Sequence, residues 1–564
     1  MTTTTLMIGR LGTVSVAALL VATCCLMAMS CLANADDTNT PEIHGDDVAP
    51  ASPAPGSLPR IQLNPATRQF VNTEDGRSVI FHGLAQNNNG MMVQVSNDQM
   101  KLMADWGLNI VRLGFHWHLV ETSPGTYNQT YLGLLKDTVE RFGAHGIRVI
   151  LDMHQDSWSP LFCGGHGIPE FYSQPYNTSE YHGNGSRAYP QPIAAPEYQP
   201  DGVHIKNCDR VDAAVFGWAT SYITYSTGAA AQRMYDNDQG ILDRFGEFWR
   251  MIATMFRDNP AVLGYELLNE PWLGDAPLAL DELDPAKNEH WNLWFPKAAD
   301  RSNMHTLYAH LAKYVRQVDN ASIVFFEPAT GGNYLDAFPI GLVEGPGGAE
   351  YNDRQALAYH VYCPVVQWNN ASSFMQQLKS MLNLEVCDLF QSPLFDVRRK
   401  DAELLGLGAI LTEFGAISNS PFGVDIIDFV ADRMDEALHS WTFWYLTPEP
   451  DEEASGEVKA ISRTYARAVA GTIMSMTFDH LDQGRGNFTL TYAPSSAPTT
   501  FRAPTEVYVS PFYYPGGYTW STLPAGVLNA TQSTLNPNLM LFTHTAAAHS
   551  ADRITLHIIG KASE

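Results

Sequence analysis

Apolar runs rich in β-forming residues alternate with amphipathic segments from about residue 62 to residue 446. A run that is apolar on both faces predicts a strand of a parallel sheet, and apolar positions recurring every three to four residues predict a helix. The pattern predicts eight strands with helices between most of them, which favours an α/β fold, the (β/α)8 TIM barrel. The predicted strands are Val79–Gln86, Asn109–Phe115, Arg148–Gln155, a run ending at Glu270, Ile323–Glu327, Ala356–Tyr362, a run ending at Glu413, and Thr442–Leu446.

The same pattern divides the chain into segments. Residues 61–470 form the predicted barrel, and its predicted helices are Asp98–Trp106, Tyr131–Ala144, Leu242–Arg257, Met304–Val318, Ser373–Met381 and Asp425–Leu438. The strand–helix repeat is interrupted at about 157–239, which we interpret as an ordered lid insertion, because long loops in compact domains are usually functional. From 471 to 564, short alternating runs separated by Gly, Pro, Ser and Asn predict a C-terminal all-β sandwich domain.

The N-terminal 60 residues have a different character. Arg10 precedes the apolar run Val16–Met29, and Ala33-Asn34-Ala35 offers a cleavage site. We therefore predict a signal peptide over residues 1–35, with an uncleaved anchor as the alternative, followed by a disordered segment over 36–60. No later stretch is long and apolar enough to span a bilayer. These features predict a secreted or lumenal protein, the endo-lysosomal lumen included, and we expect a monomer.

Charge and cysteine content narrow the partners and the compartment. The formal net charge of −26 argues against nucleic-acid binding and against charge-driven docking on anionic lipid. It is compatible with an acidic compartment and equally with an ordinary acidic protein. Asn-x-Ser/Thr sequons fit a secretory route and begin at Asn128, Asn177, Asn184, Asn320, Asn370, Asn487 and Asn529.

Four of the seven cysteines remain after removal of the signal peptide, namely Cys163, Cys208, Cys363 and Cys387. An even number in an oxidising compartment predicts disulfides, with three possible connectivities. We favour Cys163–Cys208 and Cys363–Cys387, because each pair closes a loop between predicted strands and helices. The spacings do not match a metal site.

The fourth and the seventh predicted strands end at Glu270 and Glu413. Side chains at the strand C-termini of a parallel barrel face the active site. A retaining glycosidase needs a carboxylic acid and a carboxylate roughly 5–5.5 Å apart. We predict Glu270 as the acid/base, with its pKa raised by the charge of Glu413, and Glu413 as the nucleophile. Two ion-paired structural carboxylates are the alternative, which Asn269 before one and Phe414-Gly415 after the other disfavour.

The motifs resemble a known family. Asn269-Glu270-Pro271-Trp272 together with Thr412-Glu413-Phe414-Gly415 resembles the retaining family 5 glycoside hydrolases. Asp152-Met153-His154-Gln155-Asp156, followed by Phe162-Cys163-Gly164-Gly165-His166-Gly167-Ile168-Pro169, resembles the endoglycoceramidases within that family. The similarity covers roughly residues 75–470, and the β-rich tail fits the family's appended sandwich.

The resemblance implies residues that bind the sugar. Asn269 would bond the 2-hydroxyl, and His154 and Asp156 would bind the hydroxyls beside the scissile bond. Trp444 would stack under the sugar ring, with a plain core aromatic as the alternative for it and for Trp441. A core histidine is the alternative for His154 considered alone.

The resemblance also implies residues around the nucleophile. Tyr362 would hold Glu413, Arg112 would support it from the second strand, and His360 would join the substrate-binding set, with a core histidine as its alternative. One stretch departs from the family pattern. A lysine is expected near the end of the first strand, where this chain reads Leu84-Ala85-Gln86-Asn87-Asn88-Asn89-Gly90. This puts the identity of the sugar beside the scissile bond in doubt.

The expected function is hydrolysis of the β-glycosidic bond between the oligosaccharide and the ceramide of glycosphingolipids by double displacement. Carboxylates and water suffice for this chemistry, so no metal or organic cofactor is expected. The alternatives are a glucosylceramidase or steryl-β-glucosidase of the same subfamily and a β-glucan endohydrolase. A catalytically silent glycan-binding protein is the alternative from another class, and the two glutamates argue against it.

Overall fold

The computed structural model describes residues 58–87, 94–174, 222, 225–274, 297–329, 339–363, 384–417, 419–450, 455–480 and 486–561. The predicted signal peptide, most of the segment 36–60, the predicted helix Ser373–Met381 and Cys208 lie outside these residues, as do the sequons at Asn177, Asn184 and Asn370. The statements about them stay predictions.

Eight parallel strands close into a barrel, and each strand pairs with its neighbours in chain order. The strands are His82–Gln86, Ile110–Phe115, Arg148–Met153, Val262–Glu266, Ile323–Phe326, Gln355–His360, Gly408–Glu413 and Ser440–Phe443. Nearly all of their residues are buried, as expected for strands covered on both faces. The predicted (β/α)8 barrel is confirmed. The fourth strand ends at Glu266 rather than at Glu270, and the first begins at His82 rather than at Val79.

The described helices of the barrel region follow apolar periodicity and capping signals. Those of eight residues or more are Asn97–Asp105, Gln129–Ala144, Tyr225–Tyr235, Ile241–Phe256, His305–Arg316, Leu384–Leu405 and Pro421–Ala437. Ser96 and Gln99 form a capping box at the start of the first. The helix Leu384–Leu405 is not among the predicted helices. Pro393 lies inside it, and a proline is a sequence signal for the end of a helix.

The strands that follow the barrel in the chain form two antiparallel sheets, in agreement with the predicted C-terminal all-β domain, and three strands that precede the barrel complete the larger sheet. The four-stranded sheet has the order Gly471–Asp479, Asn487–Pro494, Ile554–Gly560, Tyr518–Leu523. The seven-stranded sheet has the order Ile61–Leu63, Phe70–Asn72, Ser78–Val79, Tyr465–Val469, Thr505–Tyr508, Leu539–His544, Leu528–Gln532.

The seven-stranded sheet departs from the prediction that residues 61–470 all belong to the barrel. Its first three strands come from residues 61–79, and Val79 pairs with Ala468 from the far end of the chain. Local hydrophobic patterns do not encode a pairing between segments this distant in sequence. Ile61 and Phe70 pack in one apolar cluster with Ile110 and Ile323, the first residues of two barrel strands. The N-terminal segment thus lies at the end of the barrel opposite the strand C-termini.

A disulfide joins Cys363, just after the sixth barrel strand, to Cys387 in the helix that precedes the seventh. That predicted pair is confirmed. Cys163 is also disulfide-bonded, but its predicted partner Cys208 lies outside the described residues. None of the helices within the described part of the chain has the length and apolar character needed to cross a bilayer.

Candidate active site

Arg112 in the second barrel strand connects the polar side chains at the strand C-termini. Its Nε donates to Glu266 Oε2 at 2.5 Å, its Nη1 to Glu413 Oε1 at 2.5 Å and its Nη2 to Asn269 Oδ1 at 2.7 Å. Asp152 Oδ2 also lies 3.2 Å from Nη1. Arg112 is 1% exposed, so these contacts form away from water, where charge-assisted hydrogen bonds are strong.

Glu413 is the last residue of the seventh barrel strand, and both of its carboxylate oxygens accept hydrogen bonds. Arg112 donates to Oε1, and the Tyr362 hydroxyl donates to Oε2 at 2.6 Å. Burial and the charge of Glu413 raise the pKa of Tyr362 well above its usual value, so its hydroxyl keeps its proton. Two donors on one carboxylate fix the positions of both of its oxygens.

Glu270 follows the fourth barrel strand by four residues and has a φ of +39°. Its backbone N–H donates to Glu327 Oε1 at 3.2 Å, and its Oε1 lies 2.8 Å from Nδ1 of His360. One oxygen of Glu270, one of Glu413 and a ring nitrogen of His360 all lie within 4.8 Å of one another. The structure therefore brings together the two glutamates that the sequence singles out.

His154 and Asp156 form a second polar cluster beyond the third strand. His154 Nδ1 lies 2.6 Å from Asp152 Oδ2, and Asp156 Oδ2 lies 3.4 Å from His154 Nε2 and 3.1 Å from His166 Nε2. Burial would lower the pKa of His154, but the two aspartates raise it to about 10. Hydrogen bonds from His154 and His166 outweigh the effect of burial on Asp156 and hold its pKa well below the usual value. The cluster thus contains a charged histidine between two carboxylates.

Asn269 lies between the two clusters. Its Oδ1 accepts from Arg112, and its Nδ2 donates to the backbone oxygen of Gln155 at 3.0 Å and lies 3.5 Å from His154 Nε2. The ring of Trp444 is 6.3 Å from that of Tyr362 and nearly perpendicular to it. Trp441 is fully buried and stacks on His82 at 4.3 Å, so it is a core aromatic, whereas Trp444 lies beside the site.

The buried site contains more acidic side chains than cationic ones, and protonation of some acidic groups reduces the excess negative charge. Burial outweighs the nearby carboxylates and lowers the pKa of His360 to about 3, so this imidazole is neutral. Burial raises the pKa of Glu266 to about 7, with Asp152 adding to the rise and Arg112 opposing it. Burial and the charge of Glu266 raise the pKa of Glu327 well above its usual value. At least part of the acidic excess therefore carries protons near neutral pH.

Several residues of the site are missing from the sequence-based set. Glu266 and Glu327 are fully buried at strand ends, yet each lies in an apolar run that predicts only a strand. Gln155 and His166 lie in the motifs that carry the family resemblance, although the sequence assigns neither a role. A carboxylate at the end of an apolar run is the sequence signal that could have identified Glu327, whereas Glu266 lies inside the run predicted to end at Glu270.

Within the described part of the chain, three groups of side chains could each present three donor atoms to a metal ion. They are His154, Asp156 and His166; Glu266, Glu327 and His360; and Glu270, His360 and Glu413. The raised pKa of His154 keeps both of its ring nitrogens protonated, which removes a lone pair from the first group. The other two groups share His360, whose Nδ1 contacts Glu270. The first group therefore fits a metal ion poorly, and the second and third groups cannot each bind a metal ion at the same time.

A parallel barrel with two carboxylates at this separation is the arrangement of a retaining glycoside hydrolase. The glycosyl hydrolase family 5 cellulase model matches residues 73–450, and the family's C-terminal domain model matches residues 463–558. The chain therefore belongs to glycosyl hydrolase family 5, which confirms the resemblance.

Two similar proteins are named endoglycoceramidases. The one from Hydra vulgaris is 30% identical over 488 residues, which cover 82% of this chain and 83% of that protein. The one from Cyanea nozakii is 29% identical over 454 residues, covering 75% and 79%. Endo-glycoceramidase II from Rhodococcus sp., in a structure with ganglioside GM3, has the same fold, with a TM-score of 0.64 and 22% identity over 90% of this chain and 100% of that one.

Proposed function

We propose that this chain hydrolyses the β-glycosidic bond between the oligosaccharide and the ceramide of glycosphingolipids, with retention of configuration. The observation that carries the reaction type is the approach of Glu270 and Glu413, whose nearest oxygens lie within 4.8 Å. Retaining glycosidases hold their carboxyl groups roughly 5–5.5 Å apart, whereas inverting enzymes leave roughly 6.5–9.5 Å for a water molecule. The names of the relatives from Hydra vulgaris and Cyanea nozakii support the choice of substrate.

In the proposed first step Glu413 attacks the anomeric carbon while Glu270 gives its proton to the ceramide oxygen. Arg112 and Tyr362 donate to the two oxygens of Glu413 and orient it for attack. His360 contacts Glu270 Oε1 and fixes that side chain beside the scissile bond. In the second step Glu270 takes a proton from water, which cleaves the glycosyl-enzyme and restores Glu413.

The remaining site residues bind the sugar in this proposal. Asn269 bonds the 2-hydroxyl, an interaction that strengthens in the transition state. His154 and Asp156 bind the neighbouring hydroxyls, one as a donor and the other as an acceptor. Trp444, beside Tyr362 at the end of the eighth strand, supplies the apolar face on which the sugar ring stacks. These roles rest on the placement of the residues around Glu270 and Glu413.

We further propose that the protein enters the secretory route and acts in an extracellular or endo-lysosomal space as a monomer. The disulfide Cys363–Cys387 supports this, because disulfides persist in oxidising compartments. Among the described sequons, Asn320 and Asn529 are exposed and accessible to glycosylation.

The test is product analysis on three substrates: lactosylceramide, glucosylceramide and carboxymethyl-cellulose. The expected result is release of intact lactose and ceramide from the first. Cleavage of glucosylceramide alone would instead support a glucosylceramidase, and cleavage of cellulose alone a glucan hydrolase. Glu413→Gln should abolish release of lactose. Glu140→Gln is the matched control, because Glu140 is exposed on the helix Gln129–Ala144.

A further inference from the structure

Gln155 is a fully buried amide that follows the third barrel strand. Its Nε2 donates to the backbone oxygens of Asn269 and Glu270, each at 2.8 Å. Its Oε1 accepts from the backbone N–H of Trp158 at 2.8 Å and from the hydroxyl of Tyr222 at 3.2 Å. These partners assign the nitrogen and the oxygen of the side-chain amide, because backbone carbonyl oxygens only accept hydrogen bonds and a backbone N–H only donates.

The two carbonyls that Gln155 binds lie on either side of the α-carbon of Glu270. Glu270 has a φ of +39°, a left-handed conformation that a glutamate rarely adopts without support from its surroundings. Fixing the carbonyl on each side of this residue fixes the direction in which its side chain leaves the backbone. Asn269 Nδ2 donates in return to the Gln155 backbone oxygen at 3.0 Å, so the two segments hold each other.

The surroundings of Gln155 leave it little freedom to move. A Cβ added to Gly167 would lie 2.3 Å from the Gln155 Cβ, so the backbone of Gly167 packs directly against it. Tyr222 is buried, and its ring lies 5.3 Å from that of Trp272, just beyond the Glu270 segment. Tyr222 belongs to the insertion predicted at about 157–239. The insertion thereby supplies one of the donors that hold the amide.

We propose that Gln155 is a positioning residue for the acid/base Glu270, and that Tyr222 supports it by holding its Oε1. Gln155 touches neither the sugar nor the reacting atoms in this scheme. It keeps the Glu270 carboxyl directed at the leaving-group oxygen, so its loss impairs proton donation more than attack by Glu413. The inference rests on the proposed function, because it assumes that Glu270 is the acid/base.

Proton donation can be separated from the rest of the reaction by the choice of leaving group. Lactosylceramide and dinitrophenyl β-lactoside share one glycan, but the alkoxide of ceramide needs a proton to depart and dinitrophenolate does not. General acid catalysis contributes about 10²–10⁴-fold. We expect Gln155→Met to lower kcat/KM for lactosylceramide at least about tenfold more than for dinitrophenyl β-lactoside. Tyr222→Phe, which removes a single oxygen atom, should change this ratio in the same direction by less.

Two reference variants show how large the change of the ratio is when the acid/base itself is lost and how small it is when an unrelated glutamine is replaced. Glu270→Ala should show the largest change of the ratio, and azide should restore its kcat on dinitrophenyl β-lactoside, because azide attacks without a general base. Gln69→Met is the matched control. Gln69 precedes the strand Phe70–Asn72, and it donates to the backbone oxygen of Ile473 in the four-stranded sheet at 2.7 Å and accepts from its N–H at 3.1 Å. Its variant should leave the ratio unchanged.

An equal loss on both substrates in Gln155→Met would overturn the inference, since a merely structural defect slows both reactions alike. An unchanged ratio in Tyr222→Phe would overturn the part that concerns Tyr222, and this variant decides the matter if Gln155→Met does not fold. If Glu270→Ala itself lost activity equally on both substrates, the proposed function would fail. A changed ratio in Glu270→Ala with none in Gln155→Met leaves that function intact and removes only the role of Gln155.

Discussion

Arg112 Nη1 and Glu413 Oε1 lie 2.5 Å apart in the barrel, both nearly without exposure to solvent. The same guanidinium binds Glu266 and Asn269 through its two other nitrogens. A single planar group thus fixes the proposed nucleophile, a buried carboxylate and the amide beside the acid/base. This relationship explains why an arginine occupies the second strand, since a lysine has one nitrogen and no fork.

Arg112→Lys tests this reading. We expect a loss of up to about 3–5 kcal/mol in the free energy of unfolding, because the single ammonium of lysine cannot bond Glu266, Glu413 and Asn269 together and leaves buried polar groups without a donor. Activity on lactosylceramide should fall with it, since Glu413 loses the donor that orients it. Thermal unfolding and kcat/KM measure the two effects. An Arg112→Lys protein with unchanged melting temperature and activity would contradict the role of the fork.

Tyr362→Phe should weaken catalysis while leaving the fold intact. The hydroxyl donates to Glu413 Oε2 at 2.6 Å, and a hydrogen bond to a charged group contributes about 1.5–3 kcal/mol. This predicts a fall of about 10- to 100-fold in kcat, measured on dinitrophenyl β-lactoside. Tyr359→Phe is the matched control three residues earlier in the chain, within the sixth barrel strand, because its hydroxyl contacts His439 at 2.8 Å rather than the site. Equal losses in the two variants would argue against a role of Tyr362 in the reaction.

The sequence predicts the elements of the barrel well because their signals are local. Buried apolar runs mark the strands, and Glu413 stands at the observed end of its run. The position of Glu270 is less regular, since its strand ends at Glu266 and the chain then passes through a left-handed residue. The sequence indicates that a carboxylate follows the strand, but no local pattern predicts the left-handed conformation of Glu270.

Features that depend on contacts between segments far apart in the chain are not predicted by the local sequence pattern. The pairing of Val79 with Ala468 joins two segments that look independent. Glu327 sits at the end of an ordinary apolar strand, and only the approach of Glu266, Glu270 and Arg112 shows that it is part of a charge network. The roles proposed for His154, Asp156 and Trp444 stay predictions, although the structure places all three at the strand C-termini.

The buried carboxyl of Asp435 should make stability depend on pH. Burial raises its pKa from 3.8 to about 7, with Arg463 at 2.8 Å opposing the rise. A raised pKa gives stability that is fully present below pH 3.8 and is lost as pH rises through about 7. The side chain in Asp435→Asn cannot ionise. The free energy of unfolding of this variant, relative to that of the wild type, should therefore rise by up to about 1 kcal/mol per pH unit between pH 3.8 and about 7.

Denaturant unfolding of the wild type and Asp435→Asn at pH 4.5, 5.5, 6.5 and 7.5 measures this difference. Comparing the two proteins at each pH cancels the titration of groups that do not interact with residue 435. The difference in the free energy of unfolding should move steadily in favour of the variant as pH rises. Two parallel curves would show that Asp435 has an ordinary pKa in the folded protein.

The disulfide Cys363–Cys387 should stabilise the segment that carries Tyr362. It closes a loop with a sequence separation of 24, for which chain-entropy arguments give about 3 kcal/mol. The double variant Cys363→Ser, Cys387→Ser should therefore melt about 3 °C lower, because the entropy of unfolding of a chain of this size is about 1 kcal/mol/K. Differential scanning calorimetry measures the shift. A melting temperature equal to that of the wild type would mean that the bridge does not constrain the unfolded chain.

The most direct test of the proposed mechanism is to trap the glycosyl-enzyme. A 2-deoxy-2-fluoro β-lactoside with a dinitrophenolate leaving group should label the protein, because the fluorine slows both steps while the reactive leaving group keeps formation of the intermediate faster than its hydrolysis. Mass spectrometry of the digested protein should then find one 2-fluorolactosyl group on Glu413, and none in Glu413→Gln. Labelling of another residue, or release of a product with inverted configuration without any label, would contradict the assignment of Glu413 as the nucleophile of a retaining reaction.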